Sequence, residues 1–254
     1  MSRVIYEKNP LIEVILQIQF PTNLIISNQE PTDFQVAIKN DFPNYRAEIK
    51  NEKEISLLPS NNEIKPLIRD KNIKIHTFIT KEGYSKISLS NSTISMSTLK
   101  YERWEMFIEQ FKKTLEAFIK IYSPQYIERI GLRYIDAFKR EELELKDVSW
   151  DKLIKQPWIG VLNTIDEGNA LLSTLDTEYL LNDGISHIKV HSGLGRLSNY
   201  IHPVFIIDSD FIHIANENVE KWEKITNKLH DYSDDFYQST ITDLLKNALK
   251  PRKI

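Results

Sequence analysis

Several groups of side chains in this 254-residue sequence have the types and spacing to do chemistry. Glu13, Gln17 and Gln19 recur at even spacing in one strand-like segment, and Arg129 and Arg133 do so in another. Side chains alternate between the two faces of a strand, so each set shares a face. If the two segments pair, Glu13 and Arg133 can make a cross-strand ion pair. The alternative is that the arginines contact an anion or a partner. His187, Lys189 and His191 fall on one face of a further strand, and His213 lies on the last strand before a helix. His187 and His191 would stand about 13 Å apart there, too far to share a zinc ion whose ligands sit about 2 Å away. They read as exposed strand residues or, with Arg129 and Arg133, as a basic sheet face that a phosphate or nucleic acid would sense.

Asp208 and Asp210 are expected at a tight hairpin, where they can bind Mg²⁺ or accept backbone hydrogen bonds. His230 and Asp234 stand one helical turn apart, the spacing of a surface pair and equally of a metal or acid–base pair. Gly193-Leu-Gly-Arg196 lacks the lysine of a phosphate-binding loop and reads as a hairpin loop. A metal-dependent hydrolase using Asp208, Asp210 or His230 is one reading of these residues. No Ser-His-Asp order, HExxH or nucleophile elbow occurs. The favoured reading is therefore a non-catalytic binding or regulatory module without metal or cofactor. Its sites are Glu13, Gln17, Arg129, Arg133, His187, Lys189, His191 and His213. The partner is a protein, or a second copy in a homodimer, held on the open sheet face, with nucleic acid as the alternative.

The elements that must position these residues are legible from periodicity. Ile12, Val14, Leu16, Ile18 and Phe20 alternate with more polar residues and mark a half-buried strand ended by Pro21. Pro31 to Lys39 reads as a short helix. Short strands follow at 64–68, 73–79, 84–90 and 93–97. Trp104, Phe107, Ile108, Phe111, Leu115, Phe118 and Tyr122 then form the apolar stripe of a long helix stopped by Pro124. The second half predicts a strand over 127–138, a short helix over 148–155, strands at 170–181, 184–191, 203–209 and 211–214, and a final helix from Asn216 or Glu217 toward Leu249, with a bend near Ser233.

The two halves repeat at a spacing of 118 residues: Tyr101-Glu-Arg-Trp104-Glu returns as Val219-Glu-Lys-Trp222-Glu. In the same register Glu13 to Phe20 falls on Gly131 to Phe138, Leu89 on Ile207, and Ile94 and Met96 on Ile212 and Ile214. The expected fold class is α+β: duplicated β-α-β(4)-α units, 1–125 and 126–254, share one curved antiparallel sheet with two long helices on one face. The topology is analogous to the duplicated saddle of TATA-box-binding-protein-like and helix-grip folds. It fixes no activity.

The chain has no cysteine, which excludes disulfides, thiolate metal sites and a cysteine nucleophile. Lysine and arginine total 33 against 36 aspartate and glutamate, a formal charge of −3 that offers no global attraction to nucleic acid or anionic lipid. With no apolar run of membrane-spanning length and no signal-peptide pattern at Met1 to Lys8, the expectation is a soluble, cytoplasmic protein with no membrane partner.

Three segments carry a family resemblance: Tyr6-Glu-Lys-Asn-Pro-Leu-Ile-Glu-Val-Ile-Leu-Gln-Ile-Gln-Phe-Pro21, Arg129-Ile-Gly-Leu-Arg-Tyr-Ile-Asp136, and Leu229-His-Asp with Phe236 and Ile241-Thr242. Over nearly its whole length the chain resembles a sporadically distributed bacterial family of about 250 residues and uncharacterised activity. The resemblance implies a mobile-element or phage-defence context rather than a chemistry. Gly131-Leu-Arg-Tyr134 is its most specific piece, since glycine inside a strand points to a bulge or a close approach.

Overall fold

Strand β1 (Val4–Tyr6) precedes the alternating run, which forms β2 (Leu11–Gln19). The computed structural model describes residues 4–60, 63–165, 170 and 172–253, with the backbone alone for 52–60, 63–71 and 253. In β2 the side chains of Val14, Leu16 and Ile18 are buried and the odd-numbered ones are half-buried, so the period of two directs one face to the core. Two short helices follow, α1 (Leu24–Asn28) and α2 (Thr32–Ile38). Asn23 caps the first by accepting from the Ile25 amide, and Pro31 opens the second. A long hairpin of β3 (Asn44–Ser60) and β4 (Glu63–Ile79) leads to β5 (Ser85–Leu89) and β6 (Thr93–Thr98). Helix α3 (Trp104–Tyr122) buries its aromatic stripe and ends at Ser123, whose φ of 47° turns the chain before Pro124.

The second half opens with β7 (Ile127–Phe138); the short helix expected over 148–155 is a 3-10 turn at Trp150–Lys152, and a second such turn follows at Gly160–Asn163. Strands β8 (Thr174–Leu180), β9 (Ser186–Gly195) and β10 (Val204–Glu217) come next. Leu171, in the expected 170–181 strand, lies outside the described residues. Helix α4 (Trp222–Thr240) stops at Ile241, and α5 (Asp243–Ala248) follows. The expected single helix to Leu249 is therefore two, broken at Ile241 rather than bent at Ser233. Ile241 is extended and bridges to Ile154, and Thr242 caps the new helix by accepting from the Leu245 amide. β11 (Pro251–Lys253) returns antiparallel to β1.

These elements build one α+β fold around a nine-stranded antiparallel sheet in the order β3-β4-β5-β6-β2-β7-β10-β9-β8. Its core gathers Leu16, Leu132, Ile188 and Phe211 from the strands with Phe111 and Leu229 from the two long helices. Those helices lie side by side: the Trp104 indole donates to the Asn227 Oδ1 at 2.8 Å, and Phe111 meets Trp222 edge to face. No helix among the described residues is long and apolar enough to cross a membrane.

The 118-residue spacing is kept by the helices, since Trp104 and Trp222 each open a helix of 19 residues. The sheet keeps it only in part. Ile94 pairs with Ile18, whose counterpart at that spacing, Asp136, pairs with Ile207 and not with Ile212. The expected hairpin at Asp208 and Asp210 does not form, and 204–217 is one continuous strand. Asp-Ser-Asp lacks the glycine or Asn-Gly that a tight two-residue turn requires. The second half accordingly holds three strands between β7 and α4 among the described residues, where four were expected.

Candidate functional site

The strand order decides which polar residues meet on the face turned away from α3 and α4. Glu13, Gln17 and Gln19 of β2 and Arg129 and Arg133 of β7 reach it, as their alternation requires. Asp208 and Asp210 of β10 share it, because Asp210 pairs in register with Arg133 and Asp208 with Ile135. Register then places Lys189 and His191 of β9 opposite Asp210 and Asp208, with His187 two residues on, and Glu178 and Asp176 of β8 opposite Lys189 and His191. From β8 to β7 the strands thus read acidic, basic, acidic, basic.

The stripes are bonded in two pairs, β8 with β9 and β10 with β7. His191 Nδ1 lies 2.8 Å from the Asp176 Oδ1. Glu178 receives His187 Nε2 at 3.3 Å and Lys189 Nζ at 3.4 Å. The Arg133 guanidinium donates both Nε and Nη2 to the Asp208 carboxylate, the Nε bond being 2.6 Å. Arg129 donates Nη2 to Asp210 at 3.1 Å and Nη1 to the Gln17 Oε1 at 3.0 Å. Hydrogen bonding to Asp208 pushes the Arg133 pKa up, against the effect of burial. Burial pushes the Asp210 carboxyl up despite the opposing pull of Arg129 and Arg133.

Gly131 is what lets Arg129 lie down on the sheet. A Cβ on Gly131 would stand 2.6 Å from the Arg129 Nη1 and 2.8 Å from Nη2, so the guanidinium occupies the space that any other side chain would fill. The close approach expected from a strand glycine is present, with the residue two positions earlier as the approaching group.

Several sequence-based expectations are corrected by this geometry. Arg133 pairs with Asp208 rather than Glu13, which lies opposite Ile135. His213 is not on this face. It is buried among the groups beneath the sheet, where its Nδ1 meets the Ser186 Oγ at 3.0 Å, because odd-numbered residues of β10 point toward the helices. The face is not basic, since acidic strands interleave with the basic ones. Asp208 and Asp210 are engaged by arginines, and no group of three or more His, Asp or Glu is placed to hold a metal ion among the described residues. Gly193 and Gly195 belong to β9 instead of a loop. Asp176 and Glu178 were missed because β8 carries a weak alternation that does not reveal its neighbour.

Around the stripes, Ile15, Ile135 and Ile206 are half-buried on the same face. A depression of about 430 Å³ runs between Arg133, Lys189, His191, Asp176, Glu178 and the two β10 aspartates. Pairing in this way fixes long side chains before any partner arrives, lowering the ordering cost of binding. The arrangement defines an α+β protein with a preorganised, charge-striped sheet face. No protein-family model matches the chain, and no curated protein matches it.

Proposed function

We propose that the protein is a non-catalytic binding or regulatory module whose charge-striped sheet face receives a protein surface, either a partner or a second copy in a homodimer. The observation that supports this reading is the alternation of sign from β8 to β7, with half-buried isoleucines beside it. Neighbouring strands are about 4.8 Å apart, so the stripes match a surface that alternates charge on the scale of protein side chains. A polynucleotide presents one sign only, and its phosphates would meet Asp176, Glu178, Asp208 and Asp210 along with the basic groups. The nucleic-acid alternative thus loses the basic face on which it rested. The mobile-element or defence context implied by the family resemblance suits a module that recognises another protein.

The test is a low-salt capture from host lysate, read for protein and nucleic acid together, with wild type and a Lys189→Glu/His191→Glu pair. These two side chains are exposed, so the variant changes the stripe without breaking the Arg–Asp pairs. A discrete protein, or a dimer by sedimentation, held by wild type and lost by a variant of unchanged thermal stability supports the reading. Equal capture by both proteins refutes this face as the docking surface, and salt-released nucleic acid moves the polynucleotide alternative ahead.

A further inference from the structure

Beneath the opposite face of the sheet lies a half-open cavity of about 120 Å³, lined by β1, the approach to α3, β7, β10 and α4. Six aromatic side chains line it, Tyr6, Tyr101, Trp104, Tyr134, Phe236 and Tyr237, and its charged lining is acidic at Glu102, Glu105, Asp136 and Asp234 against the single arginine Arg103. The rings brace one another, with Tyr6 and Tyr237 at 5.6 Å, Tyr101 and Tyr134 edge to face at 6.2 Å, and Trp104 stacked on His230 at 4.2 Å. Tyr134 hydroxyl lies 2.9 Å from His230 Nδ1.

One wall carries a carboxyl group in an environment that does not satisfy it. Asp136 is 3% exposed, its Oδ1 has no hydrogen-bond partner, and the neighbouring Tyr237 hydroxyl has none either. Burial, with the nearby Asp208 charge, pushes the Asp136 pKa up to about 8. A buried unpaired acid costs stability and is retained where something else repays it. Aromatic rings and a carboxylate are together the features that hold an organic ammonium group.

We propose that this cavity is a binding site for a compact organic cation, whose ammonium group sits among the aromatic rings and supplies the missing counter-charge to Asp136. An apolar cavity of about 150 Å³ accommodates benzene, so the space here suits a small alkylammonium or the head of a larger amine. Binding requires Asp136 to be ionised, so it releases a proton where the empty site is protonated. The charged and titratable groups around Asp136 are Tyr6 from β1, His230, Asp234 and Tyr237 from α4, and Tyr101, Glu102, Arg103 and Glu105 at the approach to α3, with Asp208 acting through the sheet from its other face. Burial raises the pKa of Tyr6, Tyr134 and Tyr237, so these hydroxyls stay neutral while Asp136 titrates between pH 7 and 9. This site is separate from the striped face, and either can fail without the other.

The experiment is calorimetric titration of the full chain with tetramethylammonium chloride and with tert-butanol, a neutral molecule of similar shape, at pH 7 and pH 9 and matched ionic strength. The expected result is saturable binding of the cation, about tenfold tighter at pH 9 as the ionised fraction of Asp136 rises, with no comparable binding of the alcohol. Asp136→Asn, of nearly the same shape, is expected to abolish cation binding at both pH values. Absence of cation binding at pH 9, equal binding of the alcohol, pH-independent affinity, or retained affinity in a folded Asp136→Asn variant each overturns the proposal. Should that variant fail to fold, the wild-type pH series and the alcohol comparison decide the matter.

Discussion

The guanidinium of Arg129 lies over the α-carbon of Gly131, close enough that a methyl group there would sit 2.6 Å from its Nη1. That contact turns a glycine in mid-strand, otherwise a weakness, into the seat of a side chain that ties three strands together. From β7, Arg129 bonds to Gln17 on β2 and Asp210 on β10.

Replacing Gly131 by alanine should lift Arg129 off the sheet and break both bonds. We expect a loss of about 1–3 kcal/mol, the usual range for bonds to a charged group. Urea denaturation of Gly131→Ala, Arg129→Ala and the double variant tests this. The double variant should lose less than the sum of the singles, because the clash disappears with the arginine. Additive losses would show that Arg129 is not the group displaced.

The stripes should differ in strength. Arg133 and Asp208 make a two-bond fork, with the Asp208 side chain 18% exposed, whereas Lys189 and Glu178 are both more than half exposed. A double-mutant cycle on Arg133→Met and Asp208→Asn is expected to give a coupling of about 1 kcal/mol, and one on Lys189→Met and Glu178→Gln about 0.3 kcal/mol or less. Equal couplings, or the reverse order, would contradict the geometry.

Asp136 should also leave its mark on stability against pH. Its folded pKa of about 8 is above the unfolded aspartate value near 3.9, so the folded state holds the extra proton between those limits. Stability contributed by this group is complete below about pH 4 and is lost as pH rises through about 8, at up to about 1.4 kcal/mol per pH unit. Asp183 acts in the opposite sense. Hydrogen bonds from Lys228 and the Ser186 and Ile185 amides outweigh its burial and hold it well below the usual carboxylate range, so its contribution is lost only as pH falls into the strongly acid region. Chemical denaturation across pH 5 to 9 should show Asp136→Asn flattening the decline and exceeding wild type in stability at pH 8. A wild-type curve with no decline would remove the basis for a protonated Asp136.

Gly193 is the second glycine whose missing side chain is structural. A Cβ there would stand 2.0 Å from the Ser173 carbonyl oxygen, a backbone atom that cannot swing aside. Gly193→Ala should push β8 from β9, costing about 2 kcal/mol or more and raising hydrogen exchange along Thr174–Leu180 first. Unchanged protection of those amides would argue against the expectation.

What the sequence determined by itself was the local architecture. Periods of two and 3.6 are properties of neighbouring residues, so β2, β7 and α3 and the face of each polar residue on β2, β7 and β9 could be read directly. Tertiary structure alone decided what those faces mean. The sign of the sheet face depends on Asp208 and Asp210 lying between Arg133 and His191, a matter of strand order that no local pattern encodes. The expected hairpin in β10 lacked the turn residues it needs, and only the register shows that both aspartates of the continuous strand meet arginines from β7. Likewise, Asp136 reads as an ordinary polar residue near a strand end, and only the packing of α4 and β1 over it makes an uncompensated acid in an aromatic cavity. Periodicity reports which way a side chain points, and long-range pairing decides what it meets.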